Sequence, residues 1–255
     1  MISCQDRRFV IVARQRQAMF RFHGGSTMRL LLIISLVAMS VAGNVARATA
    51  AADMDEWQTQ VEKAHDALLD TKPEEAVRIV DPIIAAFDAQ NTDNTKDYFC
   101  AEGPVQTLLL AGQGAANKRN TIIMHGALCN ALFIKGFALI DLNRSAEAGA
   151  YLERAAAMAP LEAHYANEYA EWHKSRRNWQ KSFDLFEKAR DAAAYAPEKY
   201  RPEFEARSLR GMGFTKIELG DLDLAEKYFR DSLKLVPKHQ GALQELDYIK
   251  TLRKK

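Results

Sequence analysis

One pattern returns in step along this chain, and it constrains the fold more than any other feature. In "DLDLAEKYFRDSLKLVP" the small residue Ala225 is followed at offsets of 4, 7 and 12 by Phe229, Ser232 and Pro237. In "SAEAGAYLERAAAMAP" Ala148 is followed at the same offsets by Leu152, Ala155 and Pro160. "KSFDLFEKARDAA" repeats the first two steps with Ser182, Phe186 and Ala189, without the proline. Ala148 and Ser182 stand 34 residues apart, and Ser182 and Ala225 stand 43 apart, which is the same period plus a nine-residue extension around "YAPEKYRPE". "KPEEAVRIVDPI" is a weaker copy, carrying Ala76, Val80 and Ile83.

The local chemistry of the last copy is that of a helical hairpin. Leu222, Ala225, Phe229, Leu233 and Val236 recur at three and four residues and so share one helix face. Asp221 is placed to accept from the free N–H groups of the first turn, and Gly220 tolerates the left-handed backbone that ends the helix before it. Pro237 disfavours helix in its predecessor and closes the stretch. Upstream, Leu209, Met212, Phe214, Ile217 and Leu219 mark a second apolar helix. Such a hairpin buries apolar surface on two sides, so it is stable only when stacked on others.

The period and the small–large–small–proline order resemble the tetratricopeptide repeat (TPR). The resemblance covers residues 129–239 well and 57–90 loosely. It implies an all-α solenoid of antiparallel helix pairs, with three repeats at 129–162, 163–205 and 206–239. A degenerate pair at 51–90 precedes them, and a capping helix at 240–255 follows, with Leu243, Leu246, Ile249 and Leu252 facing inward. Residues 91–128 interrupt the series and are expected to form an irregular helical insert, with "IIMHGALCNALFIKGFALIDL" as one helix after it. The family also places a Gly or Ala in each first helix against the anchor of the second. Gly136, Ala170 and Gly213 stand there, each twelve residues before Ala148, Ser182 or Ala225. The Trp of the family pattern is missing from all three units, and Lys216 and His173 stand where an aromatic is usual.

Similar proteins bind extended peptides or helices in a groove lined by the first helices. Carrying the groove positions over residue by residue gives Asn130, Phe133, Phe137 and Asp141 from one unit. The next gives His164, Asn167, Glu171 and Lys174, and the last gives Arg207, Arg210 and Phe214. Phe133 and Phe137 occupy two positions where the family's carboxylate clamp wants Lys and Asn, so no clamp is expected. Aromatic rings beside arginines suggest a mixed site that anchors an apolar side chain and pairs with an acid. As ordinary residues, Phe133 and Phe137 would be core and the charged ones plain solvated surface.

Charge and the first 50 residues set the context. Those residues hold seven Arg and one Asp, so removing them from the totals of 35 basic and 33 acidic residues leaves 28 and 32, a body of net charge −4. A mildly acidic body lacks the basic stripe of a nucleic-acid binder. Met28-Arg29 precedes an apolar core at residues 30–42, and small residues follow in "ARATAA". That is the pattern of a secretory signal peptide with cleavage after Ala48 or Ala50. The rival reading, a membrane anchor, needs about 20 uninterrupted apolar residues, and Asn44 and Arg47 break this run. No membrane span remains after cleavage. The exported part keeps Cys100 and Cys129. An oxidising compartment allows them to pair, and unpaired they would sit as two small buried apolar residues.

Nothing in the sequence composes a catalytic centre. "GQGAANK" has neither the spacing nor the preceding strand of a phosphate-binding loop. His164, Glu168, Glu171 and His173 cluster on one helix, and His164 and Glu168 share a face, but His173, nine residues after His164, points about 180° away, so the cluster reads as a solvated helix face and not a metal site. No cofactor is expected. The sequence therefore points to a non-catalytic interaction scaffold in the bacterial periplasm with a protein or peptide partner. An accessory subunit of an envelope enzyme or secretion complex is the alternative, and a periplasmic hydrolase or metal-binding protein built on the insert is a further one.

Overall fold

A computed structural model describes residues 41–91 and 93–254, with side chains from residue 55 onward. Among the described residues, ten α-helices and two short strands follow one another. They are α1 (Val41–Leu69), α2 (Pro73–Gln90), β1 (Lys96–Ala101), α3 (Pro104–Ala116), β2 (Asn120–His125), α4 (Ala127–Asp141) and α5 (Ser145–Met158). Then come α6 (Ala163–Ser175), α7 (Trp179–Ala192), α8 (Arg201–Glu218), α9 (Leu222–Leu235) and α10 (Gln240–Leu252). Residues 1–40 of the expected leader, including most of its apolar core, lie outside the described residues, and Ala48 and Ala50 fall within α1. Among the described residues no helix is long and apolar enough to cross a membrane.

The helices pair as α1/α2, α4/α5, α6/α7 and α8/α9, and each pair packs on the next, with α10 closing the stack against α9 and α8. Every pair turns on the same device. The residue just past the first helix adopts a left-handed conformation: Thr71 (φ 58°), Asn143 (φ 59°), Arg177 (φ 59°) and Gly220 (φ 83°). At Gly220 the amide donates to Ile217 O at 3.0 Å and the next amide, Asp221 N, reaches Lys216 O at 2.9 Å. Asn143 and Arg144, Arg177 and Asn178, and Thr71 and Lys72 repeat that pair of bonds. This satisfies carbonyls at the helix end that would otherwise lack partners. Asp221 then caps α9, its Oδ1 accepting from Leu224 N at 3.1 Å.

Within pairs the repeated small residues set the spacing. A Cβ on Gly213 would lie 2.8 Å from the buried ring of Phe229, and one on Gly136 would lie 2.8 Å from Leu152 and 3.3 Å from Ala148 O. Ala170 O accepts the hydroxyl of Ser182 at 2.9 Å, which satisfies the one polar anchor of the three. Ala148, Ser182, Phe186 and Ala225 are completely buried, and Leu152 and Phe229 nearly so. Pro160 follows α5 and Pro237 follows α9, at the turns leading to the next unit. The nine-residue extension is a 3-10 turn (Ala193–Tyr195), a short loop and an additional turn at the start of α8, which begins Arg201-Pro202.

Two expectations need correction. The segment 91–128 is not an irregular helical insert but a β–α–β unit. β1 and β2 pair in parallel, with Lys96 opposite Asn120 and Ala101 opposite His125. The expected long helix starting at Ile122 is accordingly cut: residues 120–125 are β2 and α4 starts at Ala127. α3 lies on the sheet through Gln106, Leu110 and Gly114, the last packed on Thr121. From the sheet Tyr98 meets Phe87 of α2 edge-on, with ring centres 5.5 Å apart. Cys100 of β1 and Cys129 of α4 are joined in a disulfide. In α10 the inward residues are Ala242, Leu246 and Ile249, whereas Leu243 is exposed, because the helix is rotated so that its smallest side chain meets α9.

The insert meets the solenoid through a buried polar joint. Gln106 Nε2 donates to Glu162 Oε1 at 2.5 Å, and Gln106 Oε1 accepts from Glu102 N at 2.7 Å. Beside them Tyr165 donates its hydroxyl to Asn130 Oδ1 at 2.8 Å. Burial, opposed by the Gln106 bond and helped by the charge of Glu102, pushes the Glu162 carboxyl up to about 7.

Candidate functional site

The first helices α4, α6 and α8 lie side by side, and the groove positions named above fall on them. α4 meets α6 through the rings of Phe133 and His164, 4.6 Å apart, and through Tyr165 and Asn130. Phe137 continues this aromatic row, 6.0 Å from Phe133. Asp141 is half-buried at the end of α4. α6 meets α8 through Ser208 Oγ, which donates to Asn167 Oδ1 at 3.1 Å.

Two of the eleven residues present no surface to a partner. Asn167 is completely buried and Phe133 is 5% exposed. Both sit where one first helix presses on the next, so they hold the row together and do not line it. Glu168, read above as part of a solvated face, is also buried. It pairs with Arg207 at 2.8 Å and lies 3.9 Å from His164. His173 is buried too, on the other side of α6, with its Nδ1 3.2 Å from Asn178 Nδ2.

The remaining charged residues form a chain of ion pairs. Glu171 and Lys174 meet at 2.6 Å, and Arg210 and Glu203 at 2.9 Å. Burial opposes the charge of Arg207, but Glu168 and Glu171 outweigh it and raise its pKa. For Arg210 burial prevails over Glu203, and its pKa is lowered. Both guanidiniums stay protonated. Arg210 Nη1 is buried with no hydrogen-bond partner. Lys174 Nζ sits 4.9 Å over the ring of Phe214, whose other neighbour is Trp179 at 6.2 Å. Phe214, Lys174 and Arg210 therefore combine a half-buried aromatic face with two half-buried cations, each paired with an acid of its own row. That combination suits an apolar side chain flanked by an acidic group. Among the described residues no three His, Cys, Asp or Glu side chains gather in a way that could hold a metal ion.

Glu203, Glu168 and Ser208 are the members of this row that motif reasoning leaves out. Their partners Arg210, Arg207 and Asn167 stand 7, 39 and 41 residues away, and only the stacking of hairpins brings the last two together.

Comparison with known proteins follows the same lines. A tetratricopeptide-repeat family model matches residues 161–238, and a second one matches residues 130–160. No curated protein matches the chain in sequence. Among solved structures, PilF of Pseudomonas aeruginosa superposes with a TM-score of 0.54 at 13% identity, over 79% of this chain and 71% of that one. MamA from Desulfovibrio magneticus RS-1 (residues 41 to the end) gives 0.52 at 13% identity, over 78% of this chain and 86% of that one. At such identities the likeness is one of fold.

Proposed function

Because this chain is a tetratricopeptide-repeat protein, with its repeats over residues 130–238, we propose that it is a non-catalytic adaptor exported to the bacterial periplasm, where it holds a peptide or helix of a protein partner along α4, α6 and α8. The repeat fold suggests a protein–protein interaction scaffold. The leader pattern before residue 50 supports export, and a disulfide between Cys100 and Cys129 fits an oxidising compartment. The observation that carries the binding reading is the half-buried Phe214 ring with Lys174 over it and the half-buried Arg210 one turn before it on α8. The occupant is an extended or helical segment in which an apolar anchor neighbours Asp, Glu or a terminal carboxylate. Peptide-array binding tests this. Acidic–aromatic peptides should be enriched among the binders, and Phe214→Ala and Arg210→Ala should each weaken them at least tenfold while leaving the thermal midpoint within a few degrees. Binding that neither substitution weakens would place the site elsewhere.

A further inference from the structure

Helix α3 has no ordinary solvent face. Residues 103–117 contain no Asp, Glu, Lys, Arg or His, yet the helix lies on the outside of the insert. Val105 is 66% exposed, Leu108 75% and Leu109 43%, and no other helix among the described residues exposes three large apolar side chains. With Gly112 and the exposed Ala116 they recur at i, i+3, i+4, i+7 and i+11, a single stripe about 100° wide. Around Gly112 the space is open: a Cβ there would meet nothing within 4 Å. The disulfide of Cys100 and the Gln106–Glu162 bond fix the helix on the solenoid, so the stripe is presented rigidly.

We propose that this stripe is an interface with a second copy of the chain, α3 packing antiparallel on α3 across a twofold axis near residues 110–111. A twofold contact requires a surface that complements itself, and this helix does. In that register Leu109 falls opposite Gly112 and Val105 opposite Ala116, large against small, and Leu108 falls level with Gln113. The acidic flank, Glu102, falls beside Lys118 at the other end of the facing helix, and the two helix dipoles run antiparallel, the favourable sense. A lipid surface fits less well. A membrane-lying helix carries Lys and Arg along its polar face, whereas α3 has none there and Arg119 is committed to Asp97 at 2.7 Å. A 13-residue helix is only about 20 Å long, so the contact is at the small end for protein interfaces and belongs with the weak, transient ones. It uses none of the groove residues and stands or falls apart from the proposed function.

Sedimentation velocity and light scattering on the purified full chain, from about 1 to about 200 μM, test the proposal through mass action. The mass should rise from that of a single copy toward twice that value. Gly112→Lys should hold it at one copy while leaving the thermal midpoint equal or higher, because the site is open and Lys is a better helix former than Gly. Leu108→Asp should do the same. A wild-type chain that stays at one copy throughout, or both variants associating like the wild type, overturns the proposal. So does a one-copy protein that floats with phosphatidylglycerol vesicles and loses that behaviour with Leu108→Asp.

Discussion

Replacing Glu162 with Gln should stabilise the protein at neutral and alkaline pH and leave it unchanged in mild acid. In the folded chain this carboxyl is held up to about 7 against an ordinary value of 4.5, first by burial and then by the charge of Glu102. Between those values the folded state binds a proton that the unfolded state has released, so stability falls as pH rises through that window. Below 4.5 both states are protonated and the penalty vanishes; above 7 it is complete. The full shift corresponds to roughly 3 kcal/mol at 1.36 kcal/mol per unit. Because Glu162 keeps some solvent contact, roughly 1–2 kcal/mol is the realistic figure. Gln at 162 still offers an oxygen to Gln106 Nε2 and turns an N–H donor toward Glu102, so the joint keeps its bonds. Thermal unfolding of the two proteins at pH 4.5, 6 and 8 measures this. The variant should melt roughly 3–6 °C higher at pH 8 and coincide with the wild type at pH 4.5. A variant that melts below the wild type at pH 8, or a difference that does not depend on pH, would refute the reasoning.

Three further outcomes follow from the packing. Gly213→Ala drives a methyl to 2.8 Å from the buried Phe229 ring and should cost about 1–2 kcal/mol by denaturant titration, whereas Gly112→Ala, in open space, should gain about 0.5–1 kcal/mol. Arg177→Gly relieves a left-handed conformation at φ 59° and should raise the thermal midpoint by about 2–4 °C. Replacing Cys100 and Cys129 by Ala opens a 29-residue loop and should cost about 3 kcal/mol in the chain-entropy model, and hydrogen exchange should then rise in β1, α3 and β2 before it rises in α6 to α9.

The repeat was legible because it is written in residue sizes. Gly213, Ala225 and Phe229 must keep their offsets for two helices to touch, and Gly136, Ala148 and Leu152 obey the same geometry. The hairpin turn was legible once, at Gly220. Asn143 makes the same turn with a residue that tolerates the left-handed backbone less freely than Gly, and Thr71 and Arg177 make it with residues that carry no such signal. The two strands were hidden for a different reason. "TIIM" runs into "ALCNALF" with only His125-Gly126 between them, and a short apolar run reads equally as strand or helix. The groove was legible as a row of positions but not as a set of states. Whether Asn167 is surface or core depends on Ser208, and whether Arg207 is free depends on Glu168, and both partners come from a neighbouring hairpin.

Hydrogen exchange on the full chain, with and without its tightest array peptide, tests the central claim most directly. Protection centred on α4, α6 and α8, strongest around Lys174, Arg210 and Phe214, is the predicted footprint. Protection confined to the second helices α5, α7 and α9, or to the β–α–β insert, would contradict it.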